Sequence, residues 1–104
     1  MIARRGHIIL TQAATVMPGG TMFLVVSGEN YNNDQPGLRL VVQVVGPQLR
    51  PAAGAYLYDL GTVGTAVLVA PTTLPSDWLT GDPIAVVDPD TMDDIATRIA
   101  RLYL

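Results

Sequence analysis

The chain has no cysteine, which excludes disulfide staples, thiol nucleophiles and thiolate metal sites together. It has one histidine, His7, too few for a multi-histidine metal centre. It also lacks lysine: all six basic side chains are arginines, and nine acidic residues bring the net charge to −3. With a pI near 4.7, the protein is a poor candidate for gripping nucleic acid by broad counterion release. Local contacts from the adjacent Arg4 and Arg5 stay open, because a pI averages over the whole surface. Long apolar runs are missing too. No segment nears the roughly 18 residues of a membrane span, and the opening Met1–Gly6 has charge but no apolar core of the kind a signal peptide needs. A soluble, cytoplasmic protein with no membrane partner is expected.

What is present is apolar. Hydrophobic residues make up 49% of the 104 positions and charged residues 14%, enough to bury one core and too much for a disordered tail. The length suits a single domain over residues 1–104. The surplus of apolar surface over charge points to association with a second chain.

Short β-rich runs punctuated by Gly, Pro and Asn fill the first two thirds. Strands are expected at 7–11, 22–27, 38–45, 56–58 and 65–70, the last ended by Pro71, which cannot donate to a ladder. The unbroken apolar run in the second strand suggests burial on both faces. Residues 16–20 and the polar stretch 28–37 read as loops, the latter exposed. The tail changes period: Asp88 can cap a helix that opens with Pro89. Met92, Ile95, Ile99 and Leu102 then share one face, with Ala96 and Tyr103 beside them. Asp90, Asp93 and Asp94 in the first turn, with Arg98 and Arg101 in the last, suit the helix dipole, and Asp94 and Arg98 are an i, i+4 pair. A shorter helical turn capped by Ser76 is expected at 76–79. The sum is a mainly β (α+β) domain, a strongly bent antiparallel sheet or half-open barrel with a C-terminal α-helix packed on it.

Few residues carry obvious chemistry. His7 can act as general acid or base; as a bland alternative, it is a strand-start histidine at a sheet edge. Arg4, Arg5 and Arg39 could each hold a phosphate, although Arg39 also suits the exposed face of its strand. The carboxylates Asp88, Asp90, Asp93 and Asp94 are explained by helix capping without a metal. Asn30, Tyr31, Asn32 and Asn33 offer donors, acceptors and a flat ring, as a loop that stacks and reads single-stranded bases would; an ordinary polar connection has the same composition. No phosphate-cradling glycine loop, serine elbow or readable carboxylate pair occurs, and no cofactor is implied.

The order of the pieces carries a resemblance. Residues Arg4–Leu10 look like the Arg-Gly-Asp/Glu-Ile opening of the MazF/PemK family of toxin endoribonucleases. Gly19–Ser27 followed by Asn30–Asn32 is similar to that family's Gly-x-Arg-Pro-x-Leu-Val-Val-Ser and following Asn. Val41–Pro47 sits where the family has a strand ending in Ser or Thr, and Trp78–Asp82 through Asp88–Met92 resembles its closing segment. The resemblance implies an SH3-like small antiparallel barrel with a C-terminal helix, a homodimer, an antitoxin protein as partner and metal-independent cleavage of single-stranded RNA. It implies an Arg and a Ser or Thr that support attack of a ribose 2′-hydroxyl on the adjacent phosphate, chemistry that needs a base, an acid and a cation. Here Thr21-Met22 stands in place of Arg-Pro, Gly46 or Pro47 in place of the Ser or Thr, and Val69 and Thr72 in place of a later Asp and Arg. The residues left for catalysis are His7 as acid or base, Arg39 or Arg5 as cation and Thr21 as positioning hydroxyl; Arg4, Arg5, Asn30, Tyr31 and Asn32 are the RNA-binding candidates. A rival of another class is a non-catalytic binding protein on the same scaffold, a CcdB-like target inhibitor or a dimeric regulatory module. A third is a structural component with no toxic role.

Overall fold

The computed structural model describes residues 3–11, 21–46 and 56–102. The strands are β1 (His7–Thr11), β2 (Thr21–Val25), β3 (Leu38–Val45), β4 (Leu57–Asp59), β5 (Thr65–Val67), β6 (Thr72–Pro75) and β7 (Ala85–Val86). The helices are α1 (Glu29–Asp34) and α2 (Pro89–Leu102), and 3-10 turns occupy Gly61–Val63 and Ser76–Leu79.

β3 organises the sheet. Along one side, Val41–Val44 pair with β2. Along the other, its first half, Leu38–Val41, pairs with β6 and its last residues, Val44 and Val45, with β5. A strand that changes partner partway along has to bend, and the sheet curls with it into a half-barrel. The main path runs β4-β5-β3-β2-β1-β7, every pairing antiparallel. Where β5 leaves β3, Gly64 has φ +141, and a Cβ there would overlap the Val45 carbonyl oxygen, so the crossing admits only glycine.

Side chains alternate across the central strands. Ile8, Leu24, Val42 and Val44 face one side, where Ala66, Leu68 and the α2 residues Met92 and Ile95 complete a cluster. Ile9, Phe23, Val25 and Val41 face the other, against Ala3, Leu74 and Leu79. Burial on both faces of β2 is therefore as its run of apolar residues suggests. Each fully buried aliphatic side chain in these layers contributes roughly 1.5–3 kcal/mol.

α2 is built as its sequence implies. The Thr91 amide donates to Asp88 Oδ2 at 3.0 Å, and the Thr91 hydroxyl donates to Asp88 Oδ1 at 2.7 Å. Those hydrogen bonds, the hydroxyl's first, hold the Asp88 carboxyl below its ordinary range. Ile99 and Leu102 continue the packed stripe beyond Met92 and Ile95, while Ala96 is exposed. Arg98 reaches Asp94 at 3.6 Å. The Tyr58 hydroxyl donates to Asp94 Oδ2 at 2.8 Å, and Arg98 lies 4.8 Å from the Tyr58 ring centroid, so this trio ties α2 to the β4–β5 hairpin. The bond to Asp94, first among several causes, raises the Tyr58 pKa.

Several expectations need correction. The stretch 28–37 is not a plain loop: it holds α1, whose six residues gain from tertiary bonds what their propensity withholds. β2 ends at Val25 rather than at Ser27, β4 is Leu57–Asp59 rather than 56–58, and β5 stops at Val67 rather than at Ala70, which has φ +60. Pro71 does not close the strand region, because β6 begins at Thr72, and β7 was not foreseen. Ser76 lies inside its 3-10 turn, preceded by Pro75, and makes no side-chain cap; its amide instead donates to the Gly37 carbonyl at 2.9 Å. The loop expected at 16–20, Pro47 and Tyr103 lie outside the described residues.

Candidate functional site

The turn into β1 positions Arg4, Arg5 and His7. The His7 amide donates to the Arg4 carbonyl at 3.0 Å, and the Arg4 amide donates to His7 Nδ1 at 3.3 Å. Gly6 makes the turn with φ +90, its would-be Cβ 2.7 Å from the Val87 carbonyl oxygen. An accepting Nδ1 leaves the neutral ring with its hydrogen on Nε2. Partial burial, and then the nearby Arg4 charge, hold the His7 pKa below its ordinary 6.5. His7 is not at the sheet edge, since it pairs with Val86 and β7 is the outer strand. The next side chain, Arg5, turns to α2 and pairs with Asp93 at 3.0 Å.

A polar knot anchors α1. The Ser27 hydroxyl donates to Asn32 Oδ1 at 2.6 Å, Asn32 Nδ2 donates to the Ser27 carbonyl at 3.1 Å, and the Leu40 amide donates to Ser27 Oγ at 3.2 Å. Both polar atoms of the Asn32 side chain are thus occupied and the residue is buried. Helical spacing sets Glu29, Asn32 and Asn33 on one face of α1 and turns Tyr31 to the opposite side. Asn30 and Tyr31 are exposed.

Arg39 does not mark the exposed face of β3. It is 3% exposed. Its Nε donates to the Ala3 carbonyl at 2.9 Å, and its Nη1 reaches the carbonyls of Leu38, Pro36 and Gln35 at 2.7, 3.3 and 3.4 Å. The guanidinium thereby joins the amino-terminal segment to the end of α1. An arginine can be buried in this way because backbone carbonyls, abundant at a helix end and a chain entry, accept its hydrogens.

Arg39, Asn32 and Arg4 come together. With Ala3, Glu29 and Asn33 they line an open cleft of about 280 Å³. Thr21 does not join them: it begins β2, is buried, and its hydroxyl has no hydrogen-bond partner among the described residues. Neither Arg5, paired on α2, nor Asn30 and Tyr31 are among the lining residues. Glu29 was missed as a site residue; the i, i+3, i+4 spacing of Glu29, Asn32 and Asn33 would have grouped it with the two asparagines had α1 been recognised. A second cleft, about 330 Å³, opens between the β4–β5 hairpin and the start of α2, lined by Leu60, Val63 and Val87 with Asp59 and Asp88. No helix among the described residues is long and apolar enough to cross a membrane.

Comparison of sequences finds no matching family model and no matching curated protein. Comparison of structures does find relatives. An endoribonuclease from a mycobacterial species, solved in complex with its cognate antitoxin, is 23% identical and superposes with a TM-score of 0.74 over 95% of this chain and 92% of its own. A second structure, of an endoribonuclease from a mycobacterial species, is 22% identical, with a TM-score of 0.73 over 97% of this chain and 90% of its own. A MazE-MazF complex from Deinococcus radiodurans gives 18% identity and a TM-score of 0.76 over 98% and 96%. The curled sheet with its C-terminal helix is the MazF fold, carried by this chain along almost its whole length.

Proposed function

We propose that this chain is the toxin module of a type II toxin–antitoxin system, working as a homodimer in the cytoplasm, blocked by an antitoxin protein and directed at single-stranded RNA. The observation that carries this reading is the near end-to-end match in fold to endoribonucleases and MazF proteins solved with antitoxins. In this reading the 2′-hydroxyl of a ribose attacks the adjacent phosphate. His7, neutral near pH 7 with Nε2–H free to donate, serves the proton transfer. Arg39 or Arg5 supplies positive charge to the phosphorane, and Thr21 a positioning hydroxyl. Arg4, Arg5, Asn30 and Tyr31 are the RNA contacts, while Asn32 holds α1 in place beside them.

A second reading, a non-catalytic binding protein on the same scaffold, is favoured by specific geometry. The Nε and Nη1 groups of Arg39 are spent on carbonyls, Arg5 is held by Asp93, and the Thr21 hydroxyl is buried. One experiment separates the two: incubation of the purified chain with a long single-stranded RNA in the presence of a chelator. Discrete cuts bearing 2′,3′-cyclic phosphate ends are expected for the nuclease, with a rate that falls in His7→Ala. Intact RNA at high protein concentration would overturn the nuclease and move the search to a protein target.

A further inference from the structure

We propose that the cleft between the amino-terminal segment and α1 is a phosphate-binding site, built from Arg39, Arg4 and Asn33, that takes a backbone phosphodiester of single-stranded RNA. Only the identity of the phosphate's carrier rests on the RNA reading above.

The argument starts from an imbalance at Arg39. Arg39 is 3% exposed, and among the described residues no carboxylate lies within 4.0 Å of its guanidinium; the ion pairs formed there are Arg5–Asp93 and Arg98–Asp94. Carbonyls satisfy its Nε and Nη1 hydrogens but carry no formal charge to balance it. A buried charge without a counter-charge is costly. Nη2 makes no hydrogen bond to any described residue, and Arg39 lines the cleft. An anion accepting from Nη2 would supply the counter-charge.

The rest of the lining fits that anion. Arg4 is exposed and takes part in no ion pair among the described residues, so a second guanidinium is available in the same cleft. Asn33 adds an exposed carboxamide, while the Asn32 amide beside it is spent on Ser27. Two guanidinium groups suit a phosphoryl oxyanion through charge-assisted bonds. Glu29 is the one carboxylate among the described lining residues. It reduces the local charge to that of a single cation, which suits the monoanionic diester better than a dianionic terminal phosphate. It is also an acceptor for a hydroxyl, which RNA presents beside each phosphate and DNA does not.

The test is NMR on the intact chain, following Arg4 and Arg39 Nε–H and the Asn33 side-chain amide. The probes, added in turn, are inorganic phosphate, a uridine tetranucleotide and the matching thymidine deoxytetranucleotide. Expected are saturable shifts at these three groups with phosphate and with the RNA, and weaker binding of the DNA. Arg4→Ala should weaken both phosphate and RNA about tenfold or more. Glu29→Gln should tighten inorganic phosphate about threefold and narrow the gap between RNA and DNA. Shifts that never saturate, that fall equally on Arg98 and Arg101, or that survive Arg4→Ala unchanged would overturn the site. Saturation by phosphate but not by the tetranucleotide would overturn RNA as carrier and make this a site for free phosphate. RNA cleavage without shifts in the cleft sinks this site and spares the nuclease; shifts without cleavage do the reverse.

Discussion

On one face of the sheet, Ile8, Leu24, Val42 and Val44 meet a single amphipathic helix; on the other, Ile9, Phe23, Val25 and Val41 meet Leu79 of a 3-10 turn, Leu74 of β6 and Ala3 of the amino-terminal segment, while polar bonds tie α1 to the end of β2. The helical cover is regular and its contacts are aliphatic. The irregular cover is held by Arg39, Ser27 and Asn32, each bonding to backbone. A layer assembled from such pieces leaves gaps between them, and the cleft of Arg4, Glu29, Asn33 and Arg39 is one of these. Each face carries a cleft: the larger, beside α2, has no arginine among its described lining residues, and the one on the irregular face gathers two.

The strongest attack on this comparison removes a large side chain from each face. Leu24→Ala is expected to destabilise the protein by about 3–4 kcal/mol and Phe23→Ala by about 3–5 kcal/mol, read from urea midpoints. A much smaller loss at Phe23 would mean that the irregular layer collapses into its own cavities. Next comes the contrast of two arginines. Arg39→Ala leaves several carbonyls and a buried gap behind and should cost about 3 kcal/mol. Arg5→Ala breaks an ion pair whose side chains are 30% and 72% exposed and should cost no more than about 0.5 kcal/mol. Comparable losses for the two would refute the tie made by Arg39.

Much of the helical face was legible in the sequence. The Asp88 cap, the Pro89 start and the spacing of Met92, Ile95, Ile99 and Leu102 each follow from local rules, and β1 and β3 fall as their apolar runs imply. The opposite face was not legible. α1 is a run of Glu, Asn, Tyr and Asp with the composition of a turn, and its helix depends on the contact of Ser27 with Asn32, which no local rule encodes. A two-residue strand such as β7 has no periodicity to read. Nor does a buried arginine announce itself when its partners are carbonyls rather than an acidic residue at a fixed spacing. The candidate site was therefore half visible: Arg4, Arg39 and Asn32 were singled out, but their meeting in one cleft depends on α1.

Two smaller effects sharpen the picture. Ser27→Ala should cost about 1–2 kcal/mol in the same urea assay, because it strips a partner from both Asn32 and the Leu40 amide. His7 should titrate below 6.5 in a pH series of ring proton shifts. In that window the unfolded chain binds more protons than the folded one. The stability tied to His7 is therefore complete above pH 6.5 and is lost as pH falls toward the folded value. His7→Gln should flatten that slope; an unchanged slope would place its origin elsewhere.

The pairing of His7 with Val86 and of Gly6 with Val87 has a consequence for how the molecule comes into being. The outer rim of β1 has to wait on the ribosome until Val86 and Val87 have followed it out, and α2, which covers Ile8 and Leu24, emerges later still. Until then the first hairpin stands with one edge open and one face bare, the condition in which nascent strands pair with the wrong neighbour. Closure joins Gly6 and His7 to Val87 and Val86, far along the sequence, so assembly is set by the slow search that long-range strand contacts impose.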